Sequence, residues 1–176
     1  MHRNYTNTRG QRSPSLLNMI TKDIVLKFAQ ERIDERHPGV FIVELNISPG
    51  NAINIELDKK EGGVCIDECV SVSRNVEHNL DREENDFELH VSSAGLDKPL
   101  RVYDQYPKNI GRGLECVLTD GNKVEGKLMA VSPKAITIES QSKELVEGKK
   151  TKQLVTRSTV LRFEEIKEAK IVISFK

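Results

Sequence analysis

Apolar residues recur along this chain with two different periods, and the period changes where glycine or proline interrupts it. Leu16, Leu17, Ile20, Ile24, Phe28 and Ala29 return every three or four positions, which lays them along one face of a helix running to about Arg36. Pro38-Gly39 stops it. Phe41, Val43, Leu45 and Ile47 then alternate with other residues, as do Ile53, Ile55 and Leu57 beyond the turn Ser48-Pro49-Gly50-Asn51. Period two on both sides of a Pro-Gly turn predicts an antiparallel hairpin. After Gly62-Gly63, the residues Ile66, Cys69, Val72, Ser73, Val76 and Leu80 return to helical spacing. Phe87, Leu89 and Val91 alternate with Glu88 and His90 to make a third strand. Helix, strand, strand, helix, strand predicts a mixed three-stranded sheet with its helices on one face.

Beyond Leu100 the pattern is that of short strands. Arg101 to Ile110, with two tyrosines and a proline, shows little periodicity and reads as connection and packing. Gly113 to Thr119 and Val124 to Val131 are β-rich runs joined through Asp120-Gly121-Asn122, a strong hairpin signal. Gly126 inside the second run predicts a bend or bulge of the kind that curls a small sheet over itself. Ala135 to Glu139 forms a third run, and a polar loop from Ser140 to Lys152 follows. Leu154, Val155, Val160, Leu161 and Phe163 mark a fourth strand and Ile171 to Phe175 a fifth, with a short helical turn around Phe163 to Glu168 between them. Five short strands without a long helix predict a small, partly closed barrel of the SH3 or Sm type. The fold class is α+β: an acidic α/β domain over 16–98, then a basic SH3/Sm-like β-barrel domain over 99–176, preceded by a basic polar arm, 1–15, with Arg3, Arg9 and Arg12 and no acid, expected to be disordered when free.

Ser92-Ser93-Ala94-Gly95-Leu96-Asp97-Lys98-Pro99-Leu100 joins the two. Gly95 permits a turn with positive φ, and Pro99 fixes its own φ and pushes Lys98 toward an extended conformation, so the junction should have a defined shape. Its hydroxyls, acid and base either recognise a partner or cap local backbone groups. Gly95 and Pro99 read as structural, and Ser93, Asp97 and Lys98 as contact residues.

Charge separates the halves. The chain as a whole is neutral, yet Met1 to Leu100 holds 12 basic and 17 acidic residues, and Arg101 to Lys176 holds 15 and 10. Leaving out the arm, Lys22 to Asp97 has 8 bases and 17 acids, a surface that suits basic proteins or is simply solvated. Lys143, Lys149, Lys150 and Lys152 of the polar loop, with Arg157 and Arg162, are candidates for RNA phosphate contacts, the alternative being an ordinary soluble hairpin tip. The loop has no interleaved aromatics, so base stacking is not expected.

Cys65, Cys69 and Cys116 make an odd count with no signal peptide, which favours a reducing cytoplasm over a disulfide framework. Cys65 and Cys69, one helical turn apart, lack the paired spacing of structural zinc sites, and Cys69 reads as a small apolar residue. No apolar run approaches the roughly 18 residues of a membrane span. Phosphate-loop, dinucleotide and paired-histidine signatures do not occur, and the four histidines stand beside no nucleophile, so neither an enzyme nor a cofactor, metal or small-molecule substrate is expected.

The junction resembles a segment of the bacterial ribosome maturation factor RimP family, Ser-Ser-Pro-Gly-Leu/Phe-Asp-Arg-Pro-Leu, with Ala94 where the family has proline and Lys98 where it has arginine. At Lys98 the bidentate fork of arginine is lost. Asp67-Glu68-Cys69, Val72-Ser73-Arg74 and Leu80-Asp81 are similar to the family's second helix, and Gly113, Val117, Leu118, Gly126, Leu128 and Val131 to its C-terminal barrel. The resemblance implies a non-enzymatic, cytoplasmic assembly factor, a monomer, that binds the free small ribosomal subunit. There it would touch rRNA and ribosomal proteins near the decoding region and assist late maturation. A general RNA-binding Sm-like module outside ribosome assembly is the alternative.

Overall fold

The computed structural model describes residues 20–80, 86–145 and 152–172. Helix α1 (Lys22–Arg36) starts at Thr21, whose hydroxyl accepts the Ile24 amide at 3.4 Å, and ends where Gly39 takes a φ of 90°. It buries Val25, Ala29 and Ile33, four residues apart, with Ile24 and Phe28 flanking. Leu16 and Leu17 of the expected helix lie outside the described residues, as does the arm. Strands β1 (Val40–Ile47) and β2 (Ala52–Lys59) pair antiparallel through the expected turn. Helix α2 (Ile66–Asn79) then returns the chain so that β3 (Glu88–Ser93) joins β2 in parallel, giving the order β1-β2-β3. Ile53, Ile55 and Leu57 of β2 are fully buried under the helices, together with Val72 and Val76 of α2. Each such side chain contributes about 1.5–3 kcal/mol of transfer free energy.

Two expectations in this half are corrected. The register of β1 against β2 shifts between Ile42 and Glu44, so Val40 and Ile42 face the core before the bulge and Leu45 and Ile47 after it. Phe41 is therefore out of phase, because one inserted residue exchanges the two faces of a strand. Ile66, expected on the buried face of α2, is 81% exposed, because it sits at the helix's first residue, beyond the sheet that Val72 and Val76 cover.

The C-terminal half is one antiparallel five-stranded sheet of order β7-β6-β5-β4-β8, formed by β4 (Gly113–Leu118), β5 (Lys123–Val131), β6 (Ala135–Leu145), β7 (Lys152–Arg162) and β8 (Ile166–Val172). Leu114, Cys116, Leu128, Ile136, Ile138 and Ala169 are fully buried in a second, separate hydrophobic cluster. The sheet is open: β7 and β8 are its edges, and among the described residues no ladder joins them. It is nonetheless curled. Flat, its edges would stand about 19 Å apart over four strand spacings, yet Arg162 ends β7 and Ile166 begins β8, a reach of at most about 14 Å. In β5 the register against β6 shifts between Leu128 and Ala130, and Gly126 passes so close to Glu139 and Ile138 that a Cβ there would strike the Glu139 carbonyl.

The expected polar loop is mostly hairpin. β6 and β7 stay paired from Ala135↔Arg162 out to Leu145↔Lys152, leaving 146–151 outside the described residues. Its strands carry no apolar alternation there, so periodicity could not reveal them. The last strand also begins earlier than expected, at Ile166, after a 3₁₀ turn limited to Phe163–Glu165.

Candidate functional site

The site is the outer face of the first sheet and the chain that crosses it. Because Ile53, Ile55 and Leu57 point to the helices, Glu56 and Asp58 point the other way, and the β1 bulge sets Glu44 directly opposite Glu56. Like charges facing each other across a strand pair repel. Arg101 resolves this, contacting Glu44 and reaching Glu56 at 3.6 Å. Lys98 also bonds to Glu56, which holds its ammonium above its ordinary value. Lys108, on the 3₁₀ turn Pro107–Asn109, bonds to the buried Asp58 and donates to the carbonyls of Lys59 (3.1 Å) and Gly62 (3.2 Å).

Gln105, 3% exposed, ties these contacts together. Its carbonyl accepts the Arg101 amide at 2.8 Å, its Nε2 donates to Asp58 at 3.2 Å, and its own backbone carbonyl accepts Asn109 Nδ2 at 2.7 Å. The Leu100 amide donates to Ala169 of β8 at 2.8 Å, so the same few residues grip both sheets. Tyr106 packs edge-on to Phe163 at 5.1 Å between ring centroids, and burial pushes its hydroxyl up to about 12. A cleft of about 540 Å³ opens at this seam beside Gly62, Ala94, Leu96, Lys108 and Asn109.

The predicted junction residues divide. Ser92, Ser93, Leu96 and Asp97 are exposed, while Lys98, Pro99 and Leu100 are half-buried. The Ala94 amide donates to Leu57 at 2.8 Å and the Lys98 amide to Gly95 at 3.2 Å, closing a turn. Gly95 does not take the positive φ expected of it. The Asp97 carboxylate instead folds over Gly95, into the place a side chain would take. Lys98, read from sequence as a contact residue, is committed to Glu56 within the chain.

Of the basic candidates, the hairpin sets Lys143 and Lys152 at neighbouring register positions, with Arg157 and Arg162 progressively farther along β7. Lys149 and Lys150 lie outside the described residues, and Lys143 and Lys152 hold register positions opposite Leu154 and Leu145. Arg157 stands opposite Ser140 and Arg162 opposite Ala135, so Lys152 and Arg162 end β7 ten residues apart, roughly 34 Å along an extended strand. Arg162 reaches Glu164 at 3.3 Å. Sequence reasoning missed Glu44, Glu56, Asp58, Arg101, Gln105 and Lys108; the signal available was the even-numbered acids of β2, opposite its odd-numbered apolar residues. Among the described residues no cluster of three metal-ligating side chains occurs, and burial pushes the Cys69 thiol up, in keeping with an apolar packing role.

Residues 32–97 match the RimP N-terminal domain. A ribosome maturation factor RimP of Christiangramia forsetii is 42% identical over 88% of this chain and 99% of its own length. The chain belongs to the RimP family. RimP proteins of Flavobacterium psychrophilum and Porphyromonas gingivalis are each 38% identical, over 89% and 88% of this chain and 100% of their own lengths. RimP is a family of ribosome maturation factors without enzymatic activity, so this chain is a ribosome assembly factor with ribosomal partners. No helix among the described residues is long and apolar enough to cross a membrane.

Proposed function

We propose that this RimP protein binds the free small ribosomal subunit in the cytoplasm, as a monomer, and assists its late maturation by touching rRNA and ribosomal proteins near the decoding region. What carries this reading is the pose of the junction. Ser92, Ser93, Leu96 and Asp97 stand exposed on a turn, while Lys98, Arg101 and Lys108 bind the chain behind it to Glu44, Glu56 and Asp58. A contact surface held in one shape loses little entropy on docking.

In this reading 16–98 and 99–176 are two domains, and the second is a small SH3/Sm-like barrel. Its support is the short crossing from Arg162 to Ile166 between the sheet's edges. Asp97, Ser93 and Leu96 are the proposed partner contacts, with Lys143, Lys149, Lys150, Lys152, Arg157 and Arg162 offering a diffuse basic surface to phosphates. The half-wide charge bias has a share within the molecule too, because two of its bases, Arg101 and Lys108, neutralise Glu44 and Asp58 of the first sheet.

Co-sedimentation of the purified protein with free small subunits, joined ribosomes and an unrelated RNA tests the proposal. Selective binding to free small subunits is expected. Equal binding to all three would instead indicate a general RNA-binding module.

A further inference from the structure

Strand β3 pairs with β2 and, among the described residues, with no other strand. The parity of that ladder is set at both ends, where the Glu88 amide donates to Asn51 (3.2 Å) and the Ala94 amide to Leu57 (2.8 Å). The amide and carbonyl of one strand residue point to the same side, and successive residues alternate. Even-numbered positions therefore face β2, and Leu89, Val91 and Ser93 turn their backbone groups to the open edge. Proteins usually blunt such an edge with proline or a bulge. β3 has no proline, and its register with β2 runs without a shift.

Beside this edge lies a groove of about 460 Å³ lined by Ile66, Cys69 and Val70 of α2 and by Leu89 and Val91. Ile66 is 81% and Val70 38% exposed, so α2 carries apolar side chains that its own core does not use. The framing segments 61–80 and 86–93 expose Glu61, Asp67, Glu77, Asp86 and Glu88 against Arg74, their one other acid, Glu68, being buried on Lys59. That charge repels nucleic acid and attracts cationic chains.

We propose that the β3 edge docks an extended polypeptide segment in which basic and apolar residues alternate. The segment adds a fourth strand through Leu89, Val91 and Ser93. Its apolar side chains stand level with Leu89 and Val91 and enter the groove, and its basic ones stand level with Glu88 on the opposite face. The proposal rests on the assembly-factor reading for the source of the segment, a basic ribosomal protein.

A labelled octapeptide alternating Lys and Val, followed by fluorescence polarisation against the full chain, provides the test. Its controls are the Glu/Val twin, octauridylate, and two forms of the Lys/Val peptide N-methylated at alternate residues, one on each edge. At least tenfold weaker binding is expected for the acidic twin, for octauridylate and for one N-methylated form, the other binding like the parent. Ile66→Lys, at an exposed position, and Val91→Pro, which removes an edge-facing amide, should each weaken the parent peptide at least tenfold with the thermal midpoint kept. If Val91→Pro fails to fold, Ile66→Lys decides. Equal binding of the twin or of both N-methylated forms, an octauridylate that competes as well as the peptide, or an indifferent Ile66→Lys would overturn the proposal. If it falls while the wild-type chain still co-sediments with free small subunits, the assembly-factor reading stands.

Discussion

The ammonium of Lys108 is bonded to the carboxylate of Asp58 across fifty residues of sequence, and their side chains are 13% and 9% exposed. Removing one partner of a buried pair strands the other, at a cost of about 3–5 kcal/mol. Asp58→Ala should lower stability by that order in urea denaturation and expose the 98–110 segment to proteolysis. Arg101→Ala should cost no more than about 1 kcal/mol, since its pairs are partly solvated. Equal losses from the two would contradict a junction anchored at Asp58.

Gly126→Ala forces a methyl against the backbone of Glu139, which cannot move without parting β5 from β6. A loss of about 1–3 kcal/mol is expected. Gly63→Ala is the control: nothing lies within 4 Å and its φ is not positive, so it should stay within about 0.5 kcal/mol of wild type.

Burial pushes the Glu68 carboxyl up, but hydrogen bonds from Lys59 Nζ at 2.7 Å and the Cys65 amide at 2.9 Å outweigh it and hold it below its usual value. A depressed folded value stabilises above the unfolded one, about 4.3, and that stability is lost as pH falls through the folded value. The stability difference between wild type and Glu68→Gln should be flat near neutrality and shrink below about pH 5. A difference independent of pH down to 3 would show that the carboxylate charge plays no part.

The thiols should separate by access. Cys65 is exposed, Cys69 is half-buried, and Cys116 is fully buried with its thiol pushed up to about 11 by burial. Brief maleimide treatment of the native protein, read by mass spectrometry, should label Cys65 first and leave Cys116 intact until unfolding. Early labelling of Cys116 would contradict its place in the second core.

Asp97→Ala removes an exposed carboxylate that folds over Gly95 without touching either core. The thermal midpoint should stay close to wild type while binding to free small subunits weakens by about tenfold, the loss typical of a contact residue. Unchanged binding would reduce the turn to a structural joint.

Burial periodicity is a local property, which is why element order and both apolar cores were legible along the chain. The junction was legible as an ordered string of residues, and that string carried the family. The polar side chains carried no period. Which strand edges stay open, how the β1 bulge turns Glu44 toward Glu56, and that Lys98 and Lys108 serve acids 42 and 50 residues away were settled by tertiary structure alone. An ion pair depends on which surfaces meet, and spacing along the chain does not encode that.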